Sequence, residues 1–143
     1  MSYGIKAYKS VGVRDDLAVA DPHRVIQLLM QGSLENMAKA KGAMERKDFS
    51  VKAQTLGKAI AIIGALRSSL DMNVDGDISG NLADLYEFMI EHLSLASREQ
   101  NIEKINDVID LMLTIKSAWD QIPPAAREKA YQMKNDFQSA VGT

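Results

Sequence analysis

The chain has no cysteine, two histidines, three prolines and one tryptophan in 143 residues. Without cysteine there are no disulfides and no thiolate metal sites, which fits a reducing compartment. The opening residues, MSYGIKAYKS, lack the apolar core of a signal peptide. No apolar run approaches the roughly 18 residues that span a bilayer. A cytoplasmic protein with no direct membrane insertion is therefore expected. Catalytic equipment is equally thin. There is no phosphate-cradling glycine loop, no nucleophile elbow and no cysteine nucleophile. Neither His23 nor His92 stands three residues after a glutamate, so the Glu-x-x-His motif of di-iron bundles is missing. No enzyme, no metal and no cofactor are expected.

What the chain does have is helix. Four stretches carry helical periodicity: Pro22 to Glu45, Phe49 to Leu70, Ile78 to Ala96 and Ile102 to Trp119. Asp21 followed by Pro22 reads as an N-cap and a first helical residue. Asp48 can cap the second helix, and Asp77 or its neighbours the third. Asn73, Asp75 and Gly76 read as a turn, and Pro123-Pro124 stops the fourth helix. The first stripe is Ile26, Met30, Ser33, Met37, Ala40 and Met44. The second is Phe49, Ala53, Leu56, Ile60 and Ile63, with Ala59, Ile62 and Leu66 on an adjacent face. The third runs Ile78, Leu82, Leu85, Met89, Leu93 and Ala96, and the fourth Ile105, Val108, Met112, Ile115 and Trp119. Trp119 reads as an anchor at the bundle end.

Short links between the first two and the last two helices force antiparallel neighbours. The expected fold is all-α: an antiparallel up-down four-helix bundle with an N-terminal arm and a short C-terminal helix. The expected division is 1–20 arm, 21–122 bundle and 123–143 C-terminal helix or tail, all one domain.

Three of the helices carry large apolar residues beyond a single core stripe, more than a closed bundle needs. Something covers such a surface, and a partner helix is the natural cover. Charge is also divided. Residues 1–70 hold 11 Lys+Arg and 6 Asp+Glu, a net +5, and residues 71–143 a net −7. The halves attract each other when packed, or the acidic half takes a basic partner. The overall −2 gives no general attraction to nucleic acid. Asp71 to Leu82 resembles a calcium loop, but position twelve, where a bidentate Glu belongs, is Leu82, so a polar turn is expected. The internal methionines fill cores and suit surfaces that adapt to a helix.

An ordered set of residues then resembles a known family. It comprises Ile5-Lys6-Ala7-Tyr8, Asp21-Pro22-His23-Arg24-Val25-Ile26, Lys58-Ala59-Ile60 with Ile62-Ile63, Asn81-Leu82 with Leu85-Tyr86, and Ala118-Trp119. Together these resemble the flagellar secretion chaperone FliS family. Leu29-Met30-Gln31-Gly32 departs from it where the family often has an aromatic before an acid and glycine.

The resemblance implies a cytoplasmic bundle that binds the disordered C-terminal segment of flagellin, prevents premature polymerisation and delivers it to the flagellar export gate. Leu28, Leu34, Ile62, Tyr86, Ile90, Leu93, Leu111 and Ile115 are then the candidate groove residues, mostly off-stripe, with Leu93 and Ile115 on the stripes themselves. Ile5 and Tyr8 are candidates for a lid or an export-gate contact. The free chain is a possible homodimer. The alternative from another class is a histidine phosphotransfer bundle using His92.

Overall fold

A computed structural model describes residues 21–70 and 76–122. All regular structure among them is helical: α1, Pro22–Glu45; α2, Phe49–Ser68; α3, Gly76–Glu99; and α4, Ile102–Asp120. Each helix packs on its two neighbours around a ring, α4 closing against α1, as in an up-down bundle. The expected arm and C-terminal helix, the calcium-like turn up to Asp75, and candidates Ile5 and Tyr8 lie outside the described residues. Asp77 falls inside α3 rather than ahead of it.

The two hairpins turn in three residues (46–48) and in two (100–101), by the same device. After α1, Lys47 takes the left-handed conformation (φ 58°). The Asp48 amide then donates to Ala43 O (2.8 Å) and the Lys47 amide to Met44 O (3.2 Å), the double bond of a Schellman stop. Asp48 also starts α2, its carboxylate accepting from the Val51 amide at 3.2 Å. After α3, Gln100 adopts φ 54°, and the Asn101 amide donates to Ala96 O at 2.9 Å. The Asn101 side chain accepts from the Glu103 amide and caps α4. One polar residue therefore ends one helix and begins the next. Asp21 caps α1 as expected, accepting from the Arg24 amide at 2.8 Å.

At the opposite end His23 and Trp119 form a clasp. The His23 ring stacks on the Trp119 ring with centroids 4.8 Å apart and planes 9° from parallel. Trp119 Nε1 donates to His23 O (3.0 Å), and His23 Nε2 meets Trp119 O (2.8 Å). A carbonyl only accepts, so the His23 proton sits on Nε2. His23 Nδ1 is buried without a partner. Beside the clasp Asp120 accepts from Gln27 (2.8 Å) and from Lys116 (2.7 Å), joining α4 to α1. The Lys116 hydrogen bond, with help from Gln27, holds the Asp120 carboxyl below the usual carboxylate range.

The core is aliphatic and methionine-rich: Leu29, Met30, Met37, Leu56, Ile62, Ile63, Leu66, Met89, Leu93, Ile105 and Met112 are all nearly inaccessible. The α1 and α4 stripes read from the sequence are the observed ones, although Ile115 and Trp119 are half-buried. The α2 stripe is rotated. Phe49 is 57% exposed and Ala53 is exposed, whereas Lys52, Thr55, Ala59, Ile62 and Leu66 face inward. Lys52 is tolerated because its Nζ donates to Ser97 O (3.2 Å) at the negative end of α3 and lies 5.5 Å from the Phe49 ring centroid. By length and composition α2 is also apolar enough to cross a membrane, unlike the sequence-based reading. Here 44% of that stretch is buried inside the bundle, as in a core helix.

α1 and α2 are the most extensively packed pair, and α3 and α4 the least of the four neighbouring pairs. Small buried residues explain the first: Gly32, Ser33, Ala40 and Ala43 on α1 meet a helix that buries Thr55, Ala59 and Ala65. The buried polar groups among these bond to their own helix, Ser33 to Met30 O and Thr55 to Val51 O.

Two stability predictions follow from these contacts. Lys47→Gly and Gln100→Gly should each raise the unfolding free energy by about 0.5–1 kcal/mol, since the left-handed cost exceeds the added chain entropy. Urea midpoints check this. His23→Ala should cost about 2–3 kcal/mol through the lost stack, hydrogen bond and packing, read by urea unfolding followed at Trp119, the sole tryptophan.

Candidate functional site: an apolar strip between α3 and α4

Successive residues turn about 100° around a helix axis, so cross-helix bonds identify which flank faces which neighbour. Arg67 to Glu87 (3.4 Å) and Lys52 to Ser97 O mark the sides on which α2 and α3 meet. His92 Nε2 to Asp107 Oδ2 (3.1 Å) marks the side of α3 toward α4. Gln27 to Asp120 marks the side of α4 toward α1.

On this frame the eight candidate groove residues separate. Ile62, Tyr86 and Leu93 are core residues, with 0%, 2% and 0% exposure, and present no surface. The expectation that they line a groove is corrected: the α2 stripe read from the sequence is rotated away from Ile62, Tyr86 borders the α3 stripe on its buried side, and Leu93 stands on that stripe itself. The other five are half-buried and packed against the core. Leu28 lies on the α2 side of α1, Leu34 on the α4 side of α1, and Ile90 on the α2 side of α3. Only Leu111 and Ile115 share a seam, on the α3 side of α4.

Opposite these two, on the α4 side of α3, stand Leu85, half-buried, and Phe88, 44% exposed. The antiparallel register set by His92 and Asp107 puts Phe88 level with Leu111, and Leu85 level with Thr114 and Ile115. These four apolar side chains form a strip along the α3–α4 seam, one of the less extensively packed seams of the bundle. Sequence reasoning placed Leu85 on a core stripe and set Phe88 aside. The useful signal was their spacing from His92, which is seven and four residues.

At the hairpin end the strip is closed by polar chemistry. His92 stacks on Phe88 with centroids 4.8 Å apart, and its Nε2 is held by Asp107. Beyond it Lys104 pairs with Glu99 at 3.2 Å. His92 is therefore engaged on both its face and its Nε2. Toward the other end no ion pair crosses between α3 and α4 among the described residues. A separate open depression of about 270 Å³ is lined by Leu113, Lys116, Ser117, Asp120 and Gln121. All of its lining comes from the C-terminal part of α4, so it offers no second wall. No group of three metal-ligating side chains occurs among the described residues.

Burial of Tyr86 makes its hydroxyl hard to ionise: desolvation pushes its pKa up to about 12 from 10.0. The unfolded chain then loses that proton first, so stability falls as pH rises from about 10 to about 12. The full effect is about 2–3 kcal/mol. Urea unfolding at pH 8 and pH 11.5 should show this loss, and Tyr86→Phe should remove most of it.

The family description "Flagellar protein FliS" matches residues 4–126. The flagellar secretion chaperone FliS of Vibrio cholerae serotype O1 is 44% identical over 124 residues, covering 87% of this chain and 91% of the relative. The flagellar secretion chaperone FliSB of Pseudomonas aeruginosa is 46% identical over 118 residues, 82% of this chain and 94% of the relative. FliS of Salmonella typhimurium is 37% identical, covering 86% and 92%. The match spans all four helices, the clasp and the strip, and the relatives are named as secretion chaperones, not enzymes: this chain belongs to the FliS family of flagellar proteins.

Proposed function

We propose that the chain is a cytoplasmic flagellar export chaperone that holds the disordered C-terminal segment of flagellin as a helix along the α3–α4 strip. Holding that segment would keep flagellin from polymerising early and present it to the flagellar export gate. The observation that carries the reading is the strip itself. Leu85, Phe88, Leu111 and Ile115 stay partly open on a bundle whose core is otherwise filled. A disordered amphipathic segment gains its structure on such a surface by laying an apolar face into it. Ordering it costs on the order of 2–5 kcal/mol. Burying about 300 Å² of apolar area offsets that at about 25 cal/mol per Å².

Isothermal titration with full-length flagellin, and with flagellin lacking its C-terminal segment, tests the reading. Only the full-length protein should bind. Phe88→Asp and Leu111→Asp should each weaken binding by about tenfold or more, about 1.4 kcal/mol, with helicity unchanged. Leu93→Asp should unfold the bundle instead. Undiminished affinity in both strip variants would place the flagellin seat elsewhere.

A further inference from the structure

The strip is bordered by carboxylates on both walls, and this bears on what kind of helix fits it. Residues 76–120 contain nine acidic and three basic side chains. On α3, Asp84 and Glu91 stand one turn before and one turn after Phe88, both exposed. On α4, Asp107 lies one turn before Leu111, and Asp110 lies one turn before Thr114 on the outer side of the strip, both exposed. The basic residues are committed or remote. Lys104 is held by Glu99, Lys116 by Asp120, and Arg98 lies in the last turn of α3, beyond the His92 closure. Asp107 bonds His92, whereas Asp84, Glu91 and Asp110 form no ion pair among the described residues.

Asp84, Glu91 and Asp110 put like charge on both sides of the seam, and no cation among the described residues pairs with them there. A guest with an acidic flank would add to that charge. A guest with basic flanks would be drawn in and would neutralise both walls. On α3 the strip continues through half-buried Leu82 to Ile78, which is 65% exposed, and from Ile78 to Phe88 it is about 15 Å long at 1.5 Å per residue, about three turns. It runs up to the Phe88–His92–Asp107 cluster, which closes it.

We propose that the α3–α4 strip selects a short amphipathic helix of about three turns whose apolar stripe is flanked by lysine or arginine. The inference rests on the reading of this strip as the flagellin seat and adds the chemistry of the segment that fits it. Carboxylates outside the contact act mainly through the rate of encounter, and salt screens them.

The test is the association rate of full-length flagellin with the intact chain at 50 mM and 500 mM salt. Wild type, the double variant Asp84→Asn with Asp110→Asn, and a control Glu35→Gln on the outer face of α1 are compared. The double variant should associate about five- to tenfold more slowly at 50 mM salt and within about twofold of wild type at 500 mM. The control should match wild type at both. Circular dichroism checks that the exposed substitutions leave the helices intact. If flagellin binds but the double variant associates at the wild-type rate at both salts, the guest's flanks are not basic and the inference fails. If flagellin does not bind wild type at all, the seat itself is wrong, which sinks the functional reading as well. If the double variant alters only the sedimentation of the free chain, the strip is a seam between two copies, which also overturns it.

Discussion

The tight turns through Lys47-Asp48 and Gln100-Asn101 constrain everything else in the bundle. Each places a left-handed residue after one helix and gives the next residue two tasks. Its amide stops the first helix, and its side chain starts the second. No slack remains in such a turn, so the register of α1 on α2, and of α3 on α4, is set at the hairpin and propagates down the helices. What differs between the hairpins is the size of the side chains that meet. Gly32, Ala40 and Ala43 against Ala59 and Ala65 let α1 and α2 approach closely. On α3 and α4 the larger Leu85, Phe88, Leu111 and Ile115 meet at the seam and stay partly exposed. The same turn thus produces one sealed seam and one that stays partly open.

The open seam needs the bundle held together somewhere else, and the His23–Trp119 clasp does that. It joins the first turn of α1 to the last turns of α4 by two reciprocal hydrogen bonds and a ring stack, with Asp120 bridging Gln27 and Lys116 beside it. α4 is therefore anchored through its α1 side and through the hairpin. Its α3 side can carry incompletely buried leucine and isoleucine without the helix detaching. A scaffold closed at both ends and loose along one edge keeps a surface in shape before any guest arrives, and a preformed surface spends less free energy on its own ordering.

Much of this was legible in the residues, and the misses share a cause. Helix ends were readable because caps are local: Asp21, Asp48 and Pro22 mark their positions whatever packs around them. α1 and α4 were readable because polar residues interrupt their stripes clearly. α2 was not. Its apolar and small residues run round the helix, so periodicity does not single out a face. Phe49 looked like core and Lys52 like surface. The positions were reversed by the Ser97 carbonyl, an acceptor from another helix that only the fold brings near. On α3 the buried face takes in Tyr86 beside the stripe residues Met89, Leu93 and Ala96, and Phe88 stays exposed. The charge division between the halves was visible from the start. Its concentration along one seam required knowing which sides of α3 and α4 face each other.

A surface meant for a guest chain must satisfy two opposed conditions. It must be apolar enough to outweigh the ordering of a disordered segment, yet not so apolar that two copies of the scaffold meet through it and stay together. Four side chains, three of them already half-buried in the seam, keep the exposed apolar area modest. The bordering carboxylates add a second restraint. When two copies bring their strips face to face, Asp84, Glu91 and Asp110 of each confront those of the other, and the repulsion opposes the contact. A single helix of complementary charge meets no such opposition. In the proposed seat apolar area would supply the affinity, and the acidic walls would decide which chain takes it.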